Sequence, residues 1–219
     1  MFDFDRHRNA EDLIGELDRF VQFWVQPALQ TGQRSASSGS SIPPSLNTLL
    51  SIHATYSHQI FSGQNRLLRS DEISITDNRV HFIDINQSGP IVYTLADRTG
   101  DPPVYVIENG EHLKCADSLS EYLVSFSLAE LMYWAATQEN DCGECWDLDF
   151  PEIGRRNGHS VNTIWTRRPY LWPGNLATFN LIDDNVIAME TSNGALLSSS
   201  VNLSPKLRQS VLREFPAWD

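Results

Sequence analysis

Residues 71–95 read Asp71-Glu72-Ile73-Ser74-Ile75-Thr76-Asp77-Asn78-Arg79-Val80-His81-Phe82-Ile83-Asp84-Ile85-Asn86-Gln87-Ser88-Gly89-Pro90-Ile91-Val92-Tyr93-Thr94-Leu95. Three runs rich in β-branched and aromatic residues, Ile73 to Thr76, Val80 to Ile85 and Ile91 to Leu95, are separated by turn formers at Asp77-Asn78 and at Asn86 through Pro90. A fourth run, Val104 to Ile107, follows the loop from Asp97 through Pro103. Links this short predict an antiparallel meander, because parallel neighbours need a long crossover.

Working outward, Leu13, Leu17, Phe20, Val21 and Trp24 recur three or four apart, one face of a helix over Asn9 to Trp24 that ends before Pro27. Residues 31–42 are Ser/Gly-rich with little to bury and read as a flexible loop. Pro43-Pro44 opens a second helix carrying Leu46, Leu49, Leu50 and a structural His53 on one face. Asn109-Gly110 ends the fourth strand, and Ser118-Leu119-Ser120-Glu121 has the capping-box form. The helix it starts, Leu119 to Ala136, is apolar around most of its circumference and is the expected central core helix.

After an irregular acidic stretch from Gln138 to Pro151, strand-like runs return at Val161 to Arg167, Leu176 to Ile182, Val186 to Glu190 and Leu196 to Val201. Ser204-Pro205 then caps a last helix. The expectation is an α+β fold: an antiparallel-rich sheet packed with N-terminal helices and a central core helix, plus a C-terminal β-hairpin/helix extension. It is read as one domain, with an N-terminal helix in 1–30, the loop 31–42, a core 43–137 and an extension 138–219.

Net charge of −12 argues against nucleic acid as partner, since backbone binding rests on clustered Lys and Arg. Residues 71–150 carry 3 basic and 16 acidic side chains, so the excess is concentrated there. Such a field steers a basic partner, and it also serves solubility. No apolar run is long enough for a membrane span, and the first residues lack the pattern of a secretory signal. Three cysteines, an odd number, agree with a reducing compartment, so a cytoplasmic location is expected.

From Tyr56 to Ala136 the chain resembles the SUKH superfamily, which includes fungal cell-wall-synthesis regulators of the Smi/Knr type and bacterial immunity proteins. The matching features, in order, are Asn65-Arg66-Leu67-Leu68, the acidic entry Asp71-Glu72-Ile73 and Val80 through the Asn86-Gln87 pair. Asp101-Pro102-Pro103-Val104-Tyr105-Val106 and Ser118 through Leu123 follow. The resemblance implies a SUKH-like α+β domain whose sheet face or pocket contacts proteins. It also implies a function in neutralising a toxin encoded beside it, often a nuclease, or as a regulatory scaffold with several partners. A toxin with a basic surface would meet Asp97, Asp101, Glu108, Glu111 and Asp117, which fall at loops and strand ends of the acidic segment. Each of them also reads as an ordinary solvated carboxylate.

Catalytic signatures are missing: there is no phosphate-binding glycine loop, nucleophile elbow or His-Glu-x-x-His. No enzyme activity and no cofactor are expected. His112, Cys115, Cys142 and Cys145 have the spacing of two metal half-sites. The intervening helix, roughly 27 Å long, would leave a shared zinc on taut connections. Trp165, Tyr170 and Trp172 with Arg167 and Arg168 could stack bases, but packing of the C-terminal unit is the expected role.

Overall fold

The computed structural model describes residues 2–7, 9–25, 42–56, 60–86, 89–97, 100–139, 142–145, 155, 158–184, 186–191 and 194–199. Among them lie three α-helices and two antiparallel sheets, an α+β fold. Helix α1 spans Ala10–Trp24 and starts where the side chain of Asn9 accepts from the backbone N–H of Asp12 at 2.8 Å. Its apolar stripe of Leu13, Ile14, Leu17, Phe20, Val21 and Trp24 is buried. Helix α2, Pro44–Thr55, opens on proline as expected and buries Leu46, Leu49, Leu50 and Ile52. His53 is buried with them and stacks on Phe61, ring centroids 5.6 Å apart. Residues 31–41 of the expected loop lie outside the described residues.

The first sheet contains β1 (Arg66–Leu67), β2 (Ser74–Thr76), β3 (Arg79–Asp84), β4 (Ile91–Leu95), β5 (Val104–Glu108) and β6 (Glu111–Ala116). Its order is β1-β3-β4-β5-β6, with β2 also paired to β3. Asp77-Asn78 and Asn109-Gly110 all have positive φ, the backbone that tight hairpins require. Asn109-Gly110 therefore turns the chain straight into β6, a strand the sequence reading missed. Its segment, Glu-His-Leu-Lys-Cys-Ala, puts charged and polar groups on an exposed face and signals a strand weakly.

Helix α3, Leu119–Glu139, extends beyond the expected Ala136 and is buried on nearly every side. Tyr122 meets Phe82 of the first sheet edge-on at 6.2 Å, while Ser125 accepts the Trp165 indole N–H at 2.9 Å. The helix thus contacts both sheets.

The second sheet contains β7 (Cys142–Cys145), β8 (Val161–Tyr170), β9 (Trp172–Ile182), β10 (Val186–Thr191) and β11 (Gly194–Ser199), in the order β7-β11-β10-β9-β8. The stretch Gln138 to Pro151, expected to be irregular, supplies β7, which pairs with β11. What was read as a hairpin unit is a four-strand meander completed by β7. The helix expected from Ser204 lies outside the described residues. One continuous cluster of buried apolar side chains runs from Phe4 through α1, α2, the first sheet and α3 to Met189. Among the described residues, no helix is long and apolar enough to cross a membrane.

Candidate functional site: the ends and open face of the first sheet

The five carboxylates expected to meet a partner are divided between opposite ends of the first sheet. Asp97, Asp101 and Asp117 lie where β4 and β6 end and β5 begins, whereas Glu108 and Glu111 flank the β5–β6 turn. A five-residue strand puts about 17 Å between the two groups. The set is therefore two groups and not one patch.

Asp101 is engaged inside the fold. Its carboxylate accepts from Ser118 Oγ at 2.5 Å, Ser120 N at 2.8 Å and Ser120 Oγ at 2.6 Å, and so caps α3. Asp97 packs on Gly100, where an added Cβ would fall 2.7 Å from Asp97 Oδ2. Asp117 pairs with Lys114 at 2.5 Å in solvent, and that pairing raises the lysine's pKa. Glu108 and Glu111 differ from these: they are exposed, lie directly opposite in register, and meet no cation among the described residues. Facing like charges destabilise a hairpin, so these two carboxylates do nothing for the fold that holds them.

Other members of the acidic segment also have internal partners. Glu72 accepts from Arg66 at 2.7 Å and 2.8 Å and from the Arg69 backbone at 2.9 Å, which together hold its carboxyl down at about 2. Asp84 pairs with Arg66 at 3.2 Å and Glu121 with Arg168 at 3.1 Å. Glu130, fully buried on α3, accepts from Gln64 N, Asn65 N and Asn65 Nδ2. Burial nevertheless raises its pKa, with those hydrogen bonds opposing.

The face of the first sheet that turns away from α3 is open. Strand alternation puts Val80, Phe82, Val92, Val104 and Val106 inside, and His81, Tyr93, Tyr105 and Lys114 in a row outside. A second outer row is Ile91, Ile107 and His112. Tyr93 is the hub: it stacks on Tyr105 at 5.3 Å, lies beneath the Arg79 guanidinium at 5.3 Å, and meets His112 edge-on at 5.7 Å. Its hydroxyl pairs with His112 Nδ1 at 2.9 Å, and His81 lies 6.0 Å away. These neighbours reduce Tyr93 to 5% exposure on a face where Ile91 keeps 52%. Burial first, then the charge of Arg79, lowers the pKa of His81. The sequence reading missed this cluster, because its members lie on four different strands and come together only by register.

His112 and Cys115, the first of the two expected half-sites, point to opposite faces of β6. His112 joins Tyr93 on the outer face, while Cys115 is buried with its thiol donating to Leu171 O at 3.2 Å. The backbone of Cys142 and Cys145 lies in β7. Among the described residues, no group of three or more His, Cys, Asp or Glu is arranged to hold a metal ion. Trp165 and Tyr170 are buried, and Arg168 caps the Trp165 ring at 4.6 Å while pairing with Asp5 and Glu121. That aromatic cluster packs the second sheet on α3.

The fold and these surfaces define a two-sheet α+β protein with a covered interior helix and an uncovered aromatic sheet face. Comparisons with family models, with curated proteins and with solved structures found no match to this chain.

Proposed function

We propose that this chain works by binding another protein and not by catalysis: an immunity protein, acting in the cytoplasm, that neutralises a cognate toxin by direct contact. The observation that carries this reading is the Glu108–Glu111 pair, two exposed carboxylates held face to face without a cation among the described residues. Repulsion of this kind is relieved by a partner that brings basic groups. A nuclease toxin has such groups, because its groove must accept phosphate. The resemblance of residues 56–136 to the SUKH superfamily points the same way.

The test is calorimetric titration of the protein with the product of the gene encoded beside it, at low and at moderate salt. Nanomolar 1:1 binding that weakens with salt, and associates more slowly once Glu108→Gln and Glu111→Gln are introduced, is the expected result. No heat at either salt would remove the immunity reading.

A second reading, a regulatory scaffold of the Smi/Knr type with several partners, is favoured by the division of the five carboxylates between opposite ends of the first sheet. It predicts several weaker partners whose binding depends on different faces.

A further inference from the structure

We infer that an internal water site lies at the seam between the two sheets, where bound water joins the hydroxyls of Tyr122 and Tyr170 to the Glu130 carboxylate. The inference goes beyond the toxin reading and does not depend on it. Its basis is a pair of phenols that the fold buries without a protein partner. Tyr122 on α3 is 0% exposed and Tyr170 at the end of β8 is 4% exposed, and neither hydroxyl has a hydrogen-bond partner among the described residues. Buried tyrosine hydroxyls ordinarily find one, because a phenol stripped of water and left unbonded is worse for stability than a phenylalanine in the same space. The Trp165 indole, buried just as deeply, has its partner in Ser125.

The two phenols converge on one place. Tyr170 interacts electrostatically with Glu130 and with Tyr122, and Tyr122 does so with Glu130 and with the Cys115 thiol. The first sheet and the second meet beside them, for Cys115 on β6 donates to Leu171 O in the β8–β9 turn at 3.2 Å. Leu171 holds a φ of 58°, a left-handed conformation that strains a bulky residue and marks a closely determined site. The β8–β9 register also shifts between Pro169 and Tyr170, an irregularity of the kind that re-aims a side chain. Glu130 accepts N–H groups from Gln64 and Asn65 and bonds neither phenol. Water supplies what this place lacks. It brings two donors and two acceptors on a centre small enough for a packed interior, and buried waters take two to four polar partners of this kind. An apolar occupant would leave both hydroxyls unbonded.

Urea denaturation of the full chain, of Tyr122→Phe, of Tyr170→Phe and of the double variant tests this, since the substitutions remove only the hydroxyls. Each single variant is expected to raise the unfolding equilibrium constant about tenfold. The double variant should raise it by clearly less than the product of the two, because both hydroxyls share the same water. Oxygen-17 relaxation dispersion, which follows the water oxygen and is blind to hydroxyl proton exchange, should show fewer long-lived waters in the double variant than in the wild type. A single variant as stable as the wild type or more so would mean that its hydroxyl is unbonded, and would overturn the inference. Effects that simply multiply would do the same by making the two sites independent. An unchanged relaxation amplitude in the double variant would also overturn it, by assigning any coupling to a direct bond between the phenols.

Discussion

Glu130 holds Asn65 through both carboxylate oxygens, Oε2 accepting from its backbone N–H at 2.9 Å and Oε1 from its side-chain amide at 2.8 Å. Gln64 N adds a third bond at 2.7 Å, so the loop before β1 is tied to the middle of α3. Close approach is part of the joint: a side chain at Gly63 would put its Cβ 2.4 Å from Trp134 N. Asn65 Oδ1 accepts in turn from Asn86 N at 3.2 Å, linking the start of the sheet to the end of β3.

Glu130→Ala leaves these buried donors unsatisfied and should lower the unfolding free energy by about 3 kcal/mol or more, measured by urea denaturation. Because burial raises the folded pKa of Glu130 above its usual 4.5, the native state binds more protons than the unfolded state in that window. The contribution is complete below 4.5 and declines as pH rises through the folded value. The stability gap between wild type and Glu130→Gln should therefore shrink from pH 4.5 upward, and a gap independent of pH would contradict the assignment.

The acidic residues separate into structural and free ones, and stability measurements can sort them. Asp101→Ala removes the α3 cap and should cost about 1–2 kcal/mol. Glu108→Gln relieves cross-strand repulsion and should be neutral or raise the thermal midpoint slightly. A large destabilisation by Glu108→Gln would mean that this carboxylate has a partner inside the fold.

Glu72 should titrate near 2, chiefly because Arg66 hydrogen-bonds it and secondly because the Arg69 backbone does. Its folded pKa is depressed, so its stabilising contribution is present above the usual 4.5 and is lost as pH falls towards about 2. Carbon-detected NMR of the side-chain carboxyl reads this directly. In Arg66→Met the midpoint should move up towards 4.5, and an unchanged midpoint would assign the depression elsewhere.

Burial pushes the Cys115 thiol up to about 12, so it stays protonated and slow to alkylate at neutral pH. In a chain carrying Cys142→Ser and Cys145→Ser, iodoacetamide at pH 8 should label the native protein far more slowly than the urea-unfolded one. Equal rates would show that the contact with Leu171 O opens freely.

Local chemistry was legible in the sequence. The period of Leu13 to Trp24 gave α1, the Pro43-Pro44 pair gave the start of α2, and Asp77-Asn78 placed the β2–β3 hairpin. These signals are set by residues within a few positions of one another, so one strand of text is enough to read them. The apolar circumference of α3 likewise announced a helix covered on several sides.

Pairing across distance was not legible. Cys142–Cys145 becomes a strand because β11 offers it hydrogen bonds from some fifty residues away, and nothing local marks that. Tyr93, Arg79, His112 and Tyr105 become one cluster only through the register of β3 to β6. Sequence alone determined that the chain is acidic, antiparallel-rich and built round one buried helix. Tertiary structure decided which carboxylates are engaged in the fold and which face water, because that depends on whether a donor arrives from another element. A carboxylate's type is written in the chain, but its partner is supplied by the fold.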